Sequence, residues 1–129
     1  MFRRTLLLAL PSLTLAGCVG ISPGTEQPTI VFFNADSAAL DETAIGLLRS
    51  VAARAARRPE APVRVLGFAG PTGGQAFNTA LSRARAEHVA TLLTEAGVAR
   101  SRIRVGSRGP VPFEMAEQES RRVEIRIGE

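Results

Sequence analysis

The order of apolar and polar residues along this chain predicts four strands and two long helices. Strand patterns, either short apolar runs or alternation, occur at Ile30–Phe33, Val63–Gly67, Arg102–Val105 and Arg122–Ile127. Helical spacing of apolar residues occurs over Asp41–Arg58 and Gln75–Ala96. The order β-α-β-α-β-β predicts an α/β fold, a two-layer sandwich with a mixed sheet and the two main helices on one face.

The connections carry signals that end these elements. Pro59 and Pro62 bracket a loop after the first helix, and Gly97 is placed to end the second helix in a left-handed conformation. The apolar run of the first strand predicts burial on both of its faces. Residues 106–120 are expected to form a long connection with one helical turn near Met115.

The second helix carries a charged residue where its periodicity requires an apolar one. At about 100° per residue, Arg85 shares one arc with Phe77, Leu81, Ala84, Val89 and Leu92. A guanidinium keeps its proton, so it must be solvated, paired with an anion or directed into a pocket that receives one. Two interpretations stay open: Arg85 covers the rim of the core with its head in water or beside a carboxylate, or it binds an anionic ligand. Asn78 and Ser82 flank Arg85 and favour a binding edge.

The first 17 residues are predicted to be a signal peptide. Arg3 and Arg4 form a basic start, Leu6–Leu15 is apolar, and Leu15-Ala16-Gly17-Cys18 is a small-residue cleavage site. This tetrapeptide resembles the lipobox of bacterial lipoproteins, which implies that Cys18 is lipidated, with palmitate among its acyl chains. In some bacteria an aspartate after the lipidated cysteine is associated with retention in the inner membrane. This chain has Val19 at that position, so an outer-membrane anchor is expected. The alternative to a lipoprotein signal is an ordinary secretory signal peptide. The expected organisation is a signal peptide over 1–17, lipidated Cys18 and a short tether over 18–28, and one domain over 29–129.

The charge and the aromatic content of the chain argue against a nucleic-acid partner. Removal of Arg3 and Arg4 lowers the formal charge from +4 to +2, and the pI of about 11.2 reflects basic residues that are all arginine. A nucleic-acid-binding domain typically has a basic stripe with interleaved aromatic residues, and this chain has no Tyr or Trp. We therefore expect no nucleic-acid partner, and we interpret Arg54, Arg57 and Arg58 as the solvated end of the first helix.

Three short motifs follow one another along the domain. They are Val31-Phe32-Phe33-Asn34-Ala35-Asp36-Ser37, Asn78-x-x-Leu81-Ser82-x-x-Arg85-Ala86 and Arg121-Arg122-Val123-Glu124-Ile125. Together they resemble the OmpA-like peptidoglycan-binding domain, which is also found in peptidoglycan-associated lipoproteins. The resemblance covers about residues 30–128. It implies an OmpA-like sandwich that binds the peptide stem of peptidoglycan, through diaminopimelate, without catalysis.

The resemblance also implies binding residues. In the family, an aspartate in the loop after the second strand receives the ammonium of diaminopimelate, and an arginine corresponding to Arg85 receives its carboxylate. A zwitterion needs an anion and a cation held apart, and a guanidinium suits a carboxylate bidentately. Further ligand contacts are implied for Asn34, Ala35, Asn78, Arg121 and Arg122. Because Arg121 is in phase with Val123 and Arg122 is not, these arginines should face opposite sides of the strand, and which of them faces the pocket stays open.

The loop after the second strand departs from the family pattern. The family usually has Gly-His-Thr-Asp-x-x-Gly where this chain has Gly67-Phe68-Ala69-Gly70-Pro71-Thr72-Gly73, so Gly70 stands at the position of the ligand-binding aspartate. A charged hydrogen bond contributes about 1.5 to 3 kcal/mol, so its loss predicts binding that is weaker by roughly ten- to a hundredfold. Asp36 and Glu119 are candidate replacements.

These observations favour a non-catalytic outer-membrane lipoprotein that links the membrane to the cell wall. The alternative is a degenerate OmpA-like module that serves protein–protein interaction in the envelope. We do not expect an enzyme, because Cys18 is used for lipidation and His88, the single histidine, falls near the apolar arc as a core residue does. Neither a cofactor nor a metal is expected, and Gly73-Gly74 lacks the following Lys-Ser/Thr of a phosphate-binding loop.

Overall fold

Two helices pack on one face of a four-stranded mixed sheet in the computed structural model, which describes residues 26–113 and 115–128. The main elements are β1 (Thr29–Phe32), α1 (Glu42–Ala56), β2 (Val63–Ala69), α2 (Gln75–Glu95), β3 (Ile103–Pro110) and β4 (Arg122–Ile127). The predicted α/β sandwich is confirmed. Neither α1 nor α2, the helices of residues 26–113 and 115–128, combines the length and hydrophobicity that a membrane-spanning segment needs. The predicted signal peptide, Cys18 and most of the tether lie outside the described residues.

The sheet has the strand order β1-β4-β2-β3. β4 is antiparallel to both β1 and β2, whereas β2 and β3 are parallel. The C-terminal ends of β1 and β2 therefore lie beside the N-terminal end of β4. This end of the sheet carries the loop after β1, the loop after β2 and the turn before β4.

One apolar core fills the space between the two helices and the inner face of the sheet. Alternate residues of each strand point into it, because successive side chains of a strand face opposite sides. Helix α1 begins at its N-cap Asp41, whose carboxylate accepts a hydrogen bond from the backbone N–H of Ala44 at 2.8 Å. The core includes Val31, Phe33, Leu48, Val51, Val63, Val65, Val89, Leu93, Val123, Ile125 and Ile127.

The expectation that β1 is buried on both faces is wrong. Val31 and Phe33 are buried, but Ile30 and Phe32 are 36% and 48% exposed. β1 is an edge strand of a sheet whose helices both lie on the inner face, so its outward-facing apolar side chains meet solvent.

Residues 106–120 contain more regular structure than a connection. β3 continues to Pro110 because its residues go on pairing with β2. The parallel register runs to Ser107 opposite Gly67, shifts between Gly67 and Ala69, and resumes with Pro110 opposite Ala69. The helical turn expected near Met115 is a 3-10 turn at Glu117–Ser120. Pairing with a neighbouring strand overrides a weak local pattern here.

Helix α2 turns a different face to the sheet than its apolar pattern predicts. Phe77 and Ala84 are exposed, whereas Asn78, Ser82 and Arg85 are buried. The cause is a close approach between backbones. A Cβ atom at Gly67 of β2 would lie only 2.0 Å from the carbonyl oxygen of Ser82. The first half of α2 thus lies directly against the glycine backbone of β2, a contact that a larger residue at this strand position would prevent.

Candidate functional site

A cavity of about 400 Å³ opens at the end of the sheet where β1, β2 and β4 meet. Its walls come from the loop after β1, the loop after β2, the first half of α2 and the segment before β4. The lining residues are Ala35, Asp36, Gly70, Thr72, Gly73, Phe77, Asn78, Leu81, Arg85, Glu117 and Arg121. Five of the seven residues predicted to bind ligand therefore line one cavity.

Arg85 is fully buried at the floor of this cavity. Its Nε donates to the carbonyl of Ser37 at 2.8 Å, and its two terminal nitrogens donate to the carbonyls of Phe68 at 3.1 Å and Asn34 at 3.0 Å. The centre of the guanidinium also lies 5.3 Å from the centroid of the Phe33 ring. Arg85 thus joins the loop after β1 to the end of β2 and fixes two walls of the cavity.

The surroundings of Arg85 disfavour its positive charge. Desolvation by burial lowers the pKa of Arg85 to about 10, the charge of Arg121 acts in the same direction, and Asp36 opposes both. Arg85 remains protonated at neutral pH, so the floor of the cavity is positive. Three of its five N–H donors are used by backbone carbonyls, and the other two, one on each terminal nitrogen, have no hydrogen-bond partner among the described residues although the side chain is fully buried. The arginine is therefore not a solvated rim residue, and it forms no ion pair with a carboxylate of residues 26–113 and 115–128.

The two arginines at the start of β4 face opposite sides of the sheet, as their alternation predicts. Arg121 lines the cavity, donates through Nε to the carbonyl of Phe33 at 3.2 Å and lies 3.8 Å from the carboxylate of Glu117. Arg122 lies on the outer face, with its guanidinium 4.0 Å from the centroid of the Phe68 ring. Arg121 is thus the arginine of the cavity, and Arg122 is separated from it by the sheet.

The polar strip of α2 lies inside the protein rather than at an open binding edge. Asn78 donates from Nδ2 to the carbonyl of Thr72 at 2.8 Å and so fixes the loop after β2. Ser82 accepts a hydrogen bond from the backbone N–H of Gly109 at 3.0 Å. Asn34 is exposed, and its backbone carbonyl is the group that binds Arg85. These residues position the cavity walls.

Two carboxylates line the cavity, although Gly70 in the loop after β2 stands where the family pattern has an aspartate. They belong to Asp36 and Glu117. Glu117 is paired with Arg121, whereas Asp36 is exposed and forms no ion pair with any residue in the described ranges. Asp36 has φ of 52°, in the left-handed region that a short polar residue tolerates. The other candidate replacement, Glu119, accepts a hydrogen bond from the backbone N–H of Ala116 at 3.2 Å and is not a lining residue.

Phe77, Leu81 and Glu117 line the cavity but were not predicted as site residues. The signal for Phe77 and Leu81 was present, because both share a helical arc with Arg85, but that arc was assigned to the core. Glu117 had no sequence signal, since its position depends on the 3-10 turn before β4. His88, predicted as a packed histidine, is half-buried, with Nδ1 2.7 Å from the carbonyl oxygen of Ala38.

The fold, the cavity and the three motifs define an OmpA-like domain. Residues 32–126 match the sequence model of the OmpA family, and the chain belongs to that family. The probable lipoprotein YiaD of Escherichia coli is 36% identical to it in an alignment of 108 residues that covers 79% of this chain and 49% of YiaD. This chain thus spans about half the length of that curated relative.

Solved structures share the fold. The peptidoglycan-associated lipoprotein from Burkholderia pseudomallei has a TM-score of 0.69 at 24% identity, covering 76% of this chain and 88% of its own. The C-terminal domain of Helicobacter pylori MotB has a TM-score of 0.68 at 22% identity, with coverages of 79% and 84%. The OmpA-like domain of FopA1 from Francisella tularensis has a TM-score of 0.63 at 19% identity, with coverages of 92% and 90%. The predicted family and fold are confirmed.

Proposed function

We propose that this protein is a non-catalytic, peptidoglycan-binding lipoprotein of the cell envelope, anchored in the outer membrane through Cys18. The main observation behind this proposal is the cavity, which is lined by Arg85, Arg121 and the carboxylate of Asp36. Membership of the OmpA family and the likeness to a peptidoglycan-associated lipoprotein support the proposal. The anchor and the 18–28 tether rest on the motif Leu15-Ala16-Gly17-Cys18.

The cavity suits the zwitterionic end of a diaminopimelate side chain in a stem peptide. Such a group needs one anion and one cation at a fixed separation. Arg85 supplies a buried positive charge behind the floor, Arg121 adds a partly exposed guanidinium, and Asp36 supplies a carboxylate. Phe77 and Leu81 offer apolar contact to the aliphatic part of the ligand. In this proposal Asp36 takes the role of the aspartate that Gly70 replaces.

Asp36→Asn is expected to lower the affinity for purified sacculi by roughly tenfold or more, because it removes the charge that receives the ligand ammonium. Asparagine has nearly the same shape and also tolerates the left-handed backbone at this position, so the fold should be kept. The measurement is cosedimentation over a range of sacculus concentrations. Glu60→Gln changes the net charge equally at an exposed site outside the cavity and should bind like the wild type. Unchanged binding by Asp36→Asn would remove this residue from the site.

Gly70→Asp is expected to tighten binding by roughly ten- to a hundredfold, because it restores the carboxylate of the family pattern. A Cβ at Gly70 would lie 3.3 Å from the hydroxyl of Ser120, so this hydroxyl, which donates to the carbonyl of Glu117 at 2.7 Å, has to shift by a few tenths of an ångström to admit the side chain. Competition by free diaminopimelate in the sedimentation assay should be stronger for this variant. Gly46→Asp adds the same charge on α1, where nothing lies within 4 Å, and is the control. If Gly70→Asp and Gly46→Asp bind alike, the loop after β2 does not contact the ligand.

The buried state of Arg85 favours a second candidate function, an OmpA-like module that binds other envelope proteins. Arg85 gives three donors to the carbonyls of its own chain, and Gly70 supplies no carboxylate. A cavity with a largely occupied guanidinium and no carboxylate at Gly70 offers a zwitterion fewer charged hydrogen bonds, so its affinity for such a ligand is expected to be lower. Failure of both the wild type and Gly70→Asp to sediment with sacculi would favour this function over the first.

A further inference from the structure

The outer face of the sheet carries an array of arginines drawn from three strands. Arg64 of β2 pairs in register with Arg104 of β3 on one side and with Arg126 of β4 on the other, so the three form one cross-strand row. Arg108 and Arg122 lie on the same face toward the other end of the sheet, because side chains alternate along each strand. These five arginines are called the arginine face below.

The positive charge of the arginine face is mostly not neutralised by the described residues. Glu124 lies on this face, 3.0 Å from Arg122 and 3.9 Å from Arg126. Arg64, Arg104 and Arg108 are exposed and form no ion pair with any residue in the described part of the chain. Like charges directly opposite each other on a sheet repel. The row of three arginines, in which Glu124 offsets the charge of Arg126 alone, is therefore destabilising, and an external anion over it would relieve the repulsion.

An apolar margin adjoins the arginine face on the side of β1. Ile30, Phe32, Pro112 and Phe113 line a shallow depression there, together with the charged residues Glu119 and Arg122. Phe32 and Phe113 are 48% and 42% exposed. β1 directly follows the tether, and it contributes Ile30 and Phe32 to this margin.

We propose that this outer face docks on the anionic phospholipid headgroups of the membrane that holds Cys18, an inference that rests on the lipid anchor of the proposed function. Guanidinium groups bind phosphate bidentately, and exposed phenylalanine side chains enter the boundary between headgroups and acyl chains. From Cys18 to Glu26 the chain spans at most roughly 28 Å, so the domain stays close to the bilayer. A sheet face with exposed arginines and an exposed apolar margin is complementary to such a surface.

Membrane docking and peptidoglycan binding use different parts of the domain. Arg64 and Arg104 are the second residues of β2 and β3, whereas the cavity lies beyond the C-terminal end of β2. The arginine face is on the outer side of the sheet, and α2, which supplies Arg85 to the cavity, is on the inner side. Both ligands can therefore be bound at the same time.

The test is cosedimentation of residues 19–129, without the lipid, with vesicles of phosphatidylglycerol and phosphatidylcholine. This segment contains every described strand, helix and core residue, so it holds the whole fold. We expect binding that falls with added salt and is absent on pure phosphatidylcholine. The triple variant Arg64→Gln, Arg104→Gln, Arg126→Gln should bind roughly a hundredfold more weakly, and its melting temperature should not fall, because a repulsive row is removed.

The matched control is the triple variant Arg49→Gln, Arg57→Gln, Arg83→Gln, which removes the same charge from exposed positions on the helix side. It should bind vesicles like the wild type. Equal losses in the two triple variants, no binding to anionic vesicles, or binding to polyglutamate in place of vesicles would overturn the proposal, the last in favour of an acidic protein. Sacculus binding by the arginine-row variant should be unchanged, so failure of membrane docking and failure of peptidoglycan binding are separate results.

Discussion

Arg85→Ala is expected to lower the free energy of unfolding by about 2 to 4 kcal/mol. The substitution leaves the buried carbonyl of Phe68 without its donor and removes the donor from the partly buried carbonyls of Ser37 and Asn34. A buried acceptor without a partner costs about 1 to 3 kcal/mol, and relief of the desolvated charge offsets part of the total. Chemical denaturation followed by circular dichroism measures the change.

The control is Arg83→Ala, an exposed arginine two residues away on α2, which should change stability by less than about 0.5 kcal/mol. Arg85→Lys keeps the charge but lacks the planar fork that reaches three carbonyls, so its stability should fall between wild type and Arg85→Ala. Wild-type stability in Arg85→Ala would contradict the structural role. Because that variant is expected to loosen the cavity walls, loss of sacculus binding in Arg85→Ala alone does not demonstrate a ligand contact, and Asp36→Asn is the sharper probe.

Gly67→Ala is expected to destabilise the domain by about 3 kcal/mol, a cost at the upper end for overpacking. The new Cβ would lie 2.0 Å from the carbonyl oxygen of Ser82 and 3.1 Å from the Cβ of Ala86. The first contact is with backbone, so α2 has to move away from β2. Since α2 carries Phe77 and Arg85, sacculus binding should fall together with the melting temperature.

Gly106→Ala is the matched control for this substitution, because it places a methyl group on the neighbouring strand. The Cβ at Gly106 would lie 3.2 Å from Cδ1 of Leu66, the flexible end of a side chain. We expect a change within about 1 kcal/mol for Gly106→Ala. Comparable losses in the two variants would show that the close contact between Gly67 and α2 is not what limits the packing.

Local patterns predicted the elements well and their surroundings less well. Alternation in β4 placed Arg121 and Arg122 on opposite faces, and the structure shows Arg121 at the cavity. The apolar run of β1 was assigned burial on both faces, because the pattern of one strand does not show that β1 is an edge strand without a second helical layer. The helical arc that contains Phe77 was assigned to the core from the pattern of α2 alone. The contact that sets which face of α2 is buried involves Gly67 of β2, which that pattern does not show.

The sequence by itself determined the order of the elements, the family and the absence of a carboxylate at Gly70, because each is written in residues close together in the chain. Only the tertiary structure decided that Arg85 is buried among three carbonyls and that Asp36 lies in the same cavity. The row of Arg64, Arg104 and Arg126 also depends on strand order and register. Those contacts join residues 17 to 62 positions apart, and their energies depend on which backbones come together, which local periodicity does not encode.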